Sequence, residues 1–142
     1  MEKINNFMKK WEDSLNADEE LWLRNRDKAS TLEGKVAIKL NINGIGHYSV
    51  HIKDGKFQIN RGVFHNPLLC WDLPISLFQE VLLNKQPVLY ALLDERGNLS
   101  FNTSHFTHFN GSSIIEMFYL AQELVKKDAE ARQLIQQLGE KA

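Results

Sequence analysis

The chain has 142 residues, about one ordinary domain, of which 43% are hydrophobic and 25% charged, a composition typical of a globular protein and not of a disordered one. Seventeen Lys and Arg residues against eighteen Asp and Glu residues give a net charge of −1, which argues against nucleic acid as a partner because phosphate binding needs a basic surface. The longest apolar run, VLYALL at 88–93, is far too short to span a membrane, so no transmembrane segment is expected.

The N-terminal region is predicted to be helical. Within residues 3–15, five apolar side chains recur at helical spacing, and residues 16–28 are predicted to form a second helical turn or two, with acidic residues at the start. The opening sequence MEKINNFMKKWEDS has no apolar core of signal-peptide length, and Cys70 has no second cysteine to pair with. Both features favour a cytoplasmic location. The stripe consists of Ile4, Phe7, Met8, Trp11 and Leu15.

From residue 35 the hydrophobic period changes to two. The segments KVAIKLNIN, HYSVHIK and KFQIN alternate apolar and polar side chains, which is typical of antiparallel strands with one covered and one solvated face. In the first strand, the apolar face carries Val36, Ile38, Leu40 and Ile42.

The turns between these strands fix the pairing register. A two-residue hairpin at Asp54-Gly55 pairs Val50 with Ile59, so that apolar residues face each other. A two-residue turn at Asn43-Gly44 would instead place Leu40 opposite His47, which inverts the faces of one strand. The first loop is therefore predicted to contain an odd number of residues.

The second half alternates helices with strands. Residues 66–72 are predicted to form an enclosed strand, 74–83 and 87–93 two helices, NLSFN the last strand, and 113–125 a long apolar helix. A final amphipathic segment follows. Five strands with one solvated face place every helix on the other face, which predicts a two-layer α+β domain. Because 88–93 is apolar all round, either another helix covers it or the helices stand off the sheet and enclose an apolar space.

The sequence offers little for catalysis or metal binding. His47 and His51 lie about 13 Å apart along one strand, and His105 and His108 in SHFTHFNG lack further ligands nearby. There is no G-x-S-x-G, Walker or G-x-G-x-x-G sequence, and Cys70 in an apolar strand is typical of a buried thiol. We therefore expect no catalytic residue, no metal, no cofactor and no enzyme activity.

Two stretches of the chain carry a family resemblance: the hairpin KDGKF (53–57), and NKQPVLYALLDERGNLSF (84–101) with its helix, Pro, second helix and last strand. On these motifs and their order, residues 33–125 resemble the sterol carrier protein type 2 domain. The resemblance is carried within the second stretch by Asn84, Pro87, Ala91, Gly97 and Leu99. It implies a five-stranded, mostly antiparallel sheet with helices on one face and an apolar tunnel between the layers. It also implies a non-catalytic carrier of a fatty acid, acyl-CoA, phospholipid, sterol or isoprenoid.

The loop at 103–112 departs from the family pattern because it is longer and lacks an early glycine. We expect Phe106 and Phe109 to lie at the tunnel mouth. Whether this loop opens or plugs the tunnel is left open by the sequence. The predicted ligand-binding residues are Phe78, Leu82, Tyr90, Leu93, Phe101, Phe106, Phe109, Met117, Phe118 and Ala121.

We therefore predict one domain over 1–142, with N-terminal helices at 1–30, a core at 33–125 and a helical extension at 126–142. Its predicted function is to bind or carry a hydrophobic small molecule or lipid. The alternative is a protein-interaction module with the same fold and a filled core. In that case the stripe with Trp11, together with Trp22, would contact a partner or form a homodimer through the N-terminal helices.

Overall fold

The computed structural model of the chain describes residues 2–18, 36–53, 56–62, 69–101 and 111–138. Within these ranges the chain forms five helices and five strands, and their order is that expected of a two-layer α+β domain. The elements are α1 (Glu2–Ala17), β1 (Val36–Asn43), β2 (Gly46–Lys53), β3 (Lys56–Arg61), β4 (Leu69–Pro74), α2 (Ile75–Leu82), α3 (Val88–Leu92), β5 (Asn98–Phe101), α4 (Gly111–Lys127) and α5 (Ala129–Gln137).

The five strands form one mixed sheet in the order β3-β2-β1-β4-β5. Three of the four neighbouring pairs are antiparallel, and β1 and β4 are parallel. The prediction of a five-stranded, mostly antiparallel sheet in an α+β domain is confirmed. Strand β4 lies in the interior of the sheet, which agrees with its apolar sequence.

The predicted register is confirmed at both hairpins. Val50 pairs with Ile59, and Ile42 pairs with Gly46, so that three residues form the first loop. Gly44 has φ +85°, a left-handed angle that suits glycine in this loop. The alternation fails at the start of β1, where a bulge shifts the pairing and Val36 lies opposite His51. A bulge adds one unpaired residue, which a strict period of two does not reveal.

Helix α1 covers the edge of the sheet that β3 forms. Asn16 accepts a hydrogen bond from the backbone N–H of Phe57 at 2.8 Å and donates one to its carbonyl at 2.9 Å. Glu12 accepts from the backbone N–H of Ile59 at 2.7 Å. Since β3 is the edge strand, these side chains occupy backbone groups that could otherwise pair with another strand.

Polar side chains connect the helices to one another. The amide of Gln122 is buried and donates to the Val81 carbonyl at 2.9 Å, which joins α4 to α2. Gln79 donates to the carbonyls of Ile135 at 2.9 Å and Leu138 at 2.8 Å, which fixes the end of α5. Asp128 caps the start of α5 by accepting from the Ala131 N–H at 3.1 Å.

The face of the sheet predicted to be solvated is not uniformly wet. Ser49 on β2 is fully buried. It shares a hydrogen bond of 2.9 Å with His51 and donates to the Asn60 carbonyl at 3.4 Å. Because its hydroxyl has these two partners, burying Ser49 leaves its side chain with no unpaired polar atom.

Short segments with special backbone angles separate the later elements. Asn84 has φ 59° immediately beyond the end of α2, a left-handed position that asparagine tolerates. Pro87 is the N-cap of α3, as its position before the helix predicts. At Gly97 a Cβ atom would lie 3.0 Å from the Asp72 carbonyl oxygen and 3.2 Å from Nε1 of Trp71. A side chain at this position would therefore be crowded against β4.

Candidate functional site

Five of the predicted ligand-binding residues lie in the space between the sheet and the helices. Their side chains are at most 2% exposed, so water contacts almost none of their surface. The structure therefore places them together but packs them closely in this conformation. These five are Phe78, Leu82, Met117, Phe118 and Ala121.

Aromatic rings fill the centre of this layer. Phe118 of α4 lies between Trp11 of α1 and Trp71 of β4, with ring centroids 5.1 Å and 5.2 Å away in edge-to-face geometry. Trp11 also donates through Nε1 to the Met117 carbonyl at 2.9 Å. Edge-to-face pairs contribute beyond their buried area, so Phe118 is a structural centre of the domain as well as a predicted ligand contact.

The stripe of α1 is buried within its own chain. Phe7, Trp11 and Leu15 are at most 1% exposed, and α1 packs on α4 and β3. The interaction-module alternative needs this stripe free for a partner or a second copy of the chain. The structure contradicts that role for Trp11, because its side chain is already covered within the chain. The sequence could not show this, since an amphipathic stripe does not indicate whether the covering surface belongs to the same chain. Trp22 lies outside the described residues.

Helix α3 and the residue after it expose three of their six apolar side chains. Val88 and Ala91 are buried, whereas Leu89, Tyr90 and Leu93 are 52%, 65% and 75% exposed. Tyr90 and Leu93, predicted to line the tunnel, therefore point away from the packed layer in this conformation. In the part of the chain that the structure describes, no helix is long and apolar enough to cross a membrane.

The remaining predicted binding residues are Phe101, Phe106 and Phe109. The side chain of Phe101 is outside the described set, and so is the whole of residues 102–110 with Phe106 and Phe109. The prediction that this loop lies at the mouth of a tunnel stays a prediction. The same is true of His105 and His108.

An ionic cluster around Arg96 holds both ends of α3. Arg96 follows the helix and bonds to Asp94 at 2.9 Å, to Glu80 of α2, and to Gln86 before α3 at 3.4 Å. The Arg96 guanidinium beside Asp94 holds the pKa of that carboxyl well below its usual range. It also lowers the pKa of Glu80. The cluster thus connects the turns on either side of α3 to α2.

Two cavities open at the surface of the helical layer. One of about 700 Å³ lies between α2, α4 and α5, and Leu82 and Val125 are among its lining residues. The other, of about 500 Å³, lies between α1 and α5. Both volumes fall in the range of small-molecule sites. The second cavity is lined by Lys3, Asn6, Phe7, Lys9, Lys10, Glu130, Ala131, Gln133, Leu134 and Gln137.

The outer face of the sheet carries His47, His51 and Cys70. Burial raises the pKa of the Cys70 thiol, with Asp72 acting in the same direction, so the thiol is a poor nucleophile at neutral pH. Burial lowers the pKa of His51. No group of three metal-ligating side chains forms among the described ranges, and the expectation of a metal-free protein remains a prediction.

Sequence reasoning missed the polar side chains that lock the helices in place. Asn16 and Glu12 bond to the edge strand, and Gln79 bonds to the end of α5. Their only sequence signal is position, since each lies next to a buried residue on its helix. Nothing in the local pattern names their partners, which are 41 to 59 residues away.

Searches of family models and of curated proteins found no match to this chain, whereas solved structures match its fold. A protein from Thermus thermophilus, described as possibly a sterol carrier protein, has a TM-score of 0.58 at 17% identity, with 84% of this chain and 86% of that chain covered. Sterol carrier protein 2 from Yarrowia lipolytica has a TM-score of 0.54 at 14% identity, with coverages of 81% and 88%. A ubiquinone synthesis protein, UbiJ-SCP2, has a TM-score of 0.53 at 10% identity, with coverages of 83% and 89%.

Proposed function

We propose that this chain, which has the fold of sterol carrier protein 2 domains, binds a hydrophobic ligand and carries it without changing it chemically. Several structures with this fold are named as sterol carriers, and another is named for ubiquinone synthesis. The ligand class that we propose comprises fatty acids, acyl-CoA, phospholipids, sterols and isoprenoids. These share an apolar body, and they differ in the head group.

The exposed apolar side of α3 is the observation that carries the proposal. Leu89, Tyr90 and Leu93 expose half or more of their surface on a helix of only five residues and the residue after it. Exposing such side chains forgoes the stabilisation that burial would give. Neighbouring apolar side chains exposed in this way mark an interaction site more often than does a single one.

We propose the packed layer beneath α3 as the ligand space. A ligand would reach Phe78, Phe118 and Ala121 by displacing α3, which is anchored by two buried side chains and by the Arg96 cluster. Tyr90 and Leu93 would then turn towards the ligand, and we propose Phe101, Phe106 and Phe109 as further ligand contacts. Opening of a short, peripheral helix is less costly than opening the aromatic centre.

The described side chains support the part of the proposal that the carrier does not react with its ligand. Burial and Asp72 raise the pKa of the Cys70 thiol, which opposes its use as a nucleophile. Ion pairs of Asp94 and Glu80 with Arg96 keep both carboxylates ionised, which opposes their use as general acids. A carrier needs none of these groups to react.

Binding should depend on ligand length if an apolar space is used. Each methylene removed from water contributes about 0.8 kcal/mol, so the affinity for saturated fatty acids is expected to rise with chain length until the space is full. Displacement of a fluorescent fatty acid measures this series. An affinity that does not change with chain length would refute the carrier function.

A substitution inside the layer tests where the ligand lies. Ala121→Leu adds volume at a fully buried position and should weaken binding of long ligands, although overpacking itself costs about 1–3 kcal/mol of stability. Val125→Ala, one turn further along α4 and also buried, weakens the fold without filling space and is the matched control. Equal loss of binding in both variants would mean that Ala121→Leu acts through stability alone.

A further inference from the structure

We propose that the groove between α1 and α5 is a second binding site, which accepts a single-chain amphiphile with an anionic head. The groove has a volume of about 500 Å³. It is formed by the N-terminal helix and the C-terminal extension, and not by the part of the chain beneath α3. The inference goes beyond the proposed function, since it places a second ligand away from the sheet.

The walls of the groove are held in place before any ligand binds. At one end, Lys10 of α1 bonds to Asp128 at the start of α5 at 2.7 Å. At the other end of α5, Gln79 of α2 bonds to the carbonyls of Ile135 and Leu138. A preformed site saves the ordering cost that a flexible one incurs on binding.

The floor of the groove is apolar. Phe7 and Ala131 are almost fully buried beneath it, and Leu134 is half-buried and packs against the same core. The lining residues include Lys3 on α1 and Gln137 on α5, which lie seven and nine positions along the chain from the two residues of the Lys10–Asp128 bridge. An acyl chain lying along this floor would cover the part of Leu134 that water now contacts.

The rim of the groove is basic and amide-rich. Three lysines line it against one carboxylate, Glu130, although the chain as a whole has a net charge of −1. Lys9 pairs with Glu12, and Lys10 pairs with Asp128. Lys3 forms no ion pair with any of the described residues, which leaves its ammonium group available to an anionic head. The amides that could donate to the same head are Asn6, Gln133 and Gln137.

A matched pair of substitutions on α5 tests the location. Gln133 and Gln136 are both exposed, but Gln133 lines this groove whereas Gln136 lines the cavity on the other side of α5. Titration calorimetry of the full chain with dodecanoate, below its micellar concentration, gives the affinity. Gln133→Trp should fill the groove and weaken binding about tenfold or more, which corresponds to about 1.4 kcal/mol, whereas Gln136→Trp should leave it unchanged.

Charge reversal tests the head group. Lys3→Glu should weaken dodecanoate binding and strengthen binding of dodecyltrimethylammonium, and both effects should shrink as salt is added. Lys127→Glu is the control, since Lys127 is exposed on α4 and lines neither cavity. Equal affinity of the wild-type chain for the two head groups would refute the anionic selectivity.

The outcomes separate this inference from the proposed function. Loss of dodecanoate binding in Ala121→Leu, with none in Gln133→Trp, would overturn the groove and leave the carrier function intact. Loss in Gln133→Trp, with long-chain binding still sensitive to Ala121→Leu, would support both sites. A chain that binds no fatty acid, sterol or phospholipid under any of these conditions would contradict both.

Discussion

Helices α1 and α3 differ in which of their apolar side chains are buried, and for both the structure differs from the role that the sequence suggested. The stripe of α1 was the surface that the interaction-module alternative needed, and it is buried against α4 and β3. The side chains of Tyr90 and Leu93 were predicted to line a tunnel, and they face solvent. Apolar content therefore predicts that a helix must be covered, but does not predict what covers it.

The difference follows from length and partners. Helix α1 has 16 residues and contributes five buried apolar side chains, a hydrogen bond from Trp11 and two side chains that bond to β3. Helix α3 has five residues and two buried side chains, and its ends depend on the exposed cluster of Arg96. Helix α1 is thus part of the stable core, whereas displacing α3 would break fewer contacts.

The largest expected effect is the loss of the aromatic centre. Trp11→Ala removes the edge-to-face contact with Phe118 and the bond to the Met117 carbonyl, and should lower the free energy of unfolding by about 3–5 kcal/mol. Tyr119→Ala, an exposed aromatic on α4, is the control and should change it little. Urea unfolding followed by circular dichroism measures both. A small effect of Trp11→Ala would mean that α1 is not integral to the core.

Much of this fold could be predicted, but only those features that depend on residues close together in the sequence. The alternation of apolar residues in β2 and β3 fixes the pairing of Val50 with Ile59, because a shifted register would expose the covered face. The parallel pairing of β1 with β4 and the bulge near Val36 depend on contacts between distant segments. The partner of Glu12 on β3 does so too, and the spacing of a side chain along one helix does not reveal it.

The glycine after α3 gives the next largest effect. Gly97→Ala would bring a Cβ atom to 3.0 Å from the Asp72 carbonyl oxygen, which is backbone and cannot move aside easily. We expect a loss of about 1–3 kcal/mol of stability from this overpacking. Glu95→Ala in the same turn is exposed and serves as the control. If thermal unfolding shows the two variants to be equally stable, the close approach of this turn to β4 is wrong.

A smaller effect is expected from the charge cluster, and it should depend on pH. Arg96 lowers the pKa values of Asp94 and Glu80 in the folded state, so their contribution to stability is present above the unfolded pKa near 4 and is lost as the pH falls further. Arg96→Gln should therefore be less stable than the wild type at pH 7, and the gap should narrow towards pH 2. Arg132→Gln is the control, because the guanidinium of Arg132 bonds to backbone carbonyls. Its difference in stability from the wild type should not narrow as the pH falls. A gap that stays constant with pH would mean that the cluster does not form in solution.

The smallest effect is expected at the exposed face of α3. Leu89 and Leu93 are more than half exposed, so the double change Leu89→Ser and Leu93→Ser should alter the free energy of unfolding by less than about 0.5 kcal/mol per site. The same variant should bind fatty acids more weakly, because the wild-type leucines can leave water when a ligand arrives, whereas the hydroxyls keep the helix surface hydrated. Chemical unfolding and displacement of a fluorescent fatty acid, measured on the same preparation, separate the two quantities. A loss of stability as large as that of Trp11→Ala would show that this face is covered in the free protein, and α3 would then belong with α1 in the core.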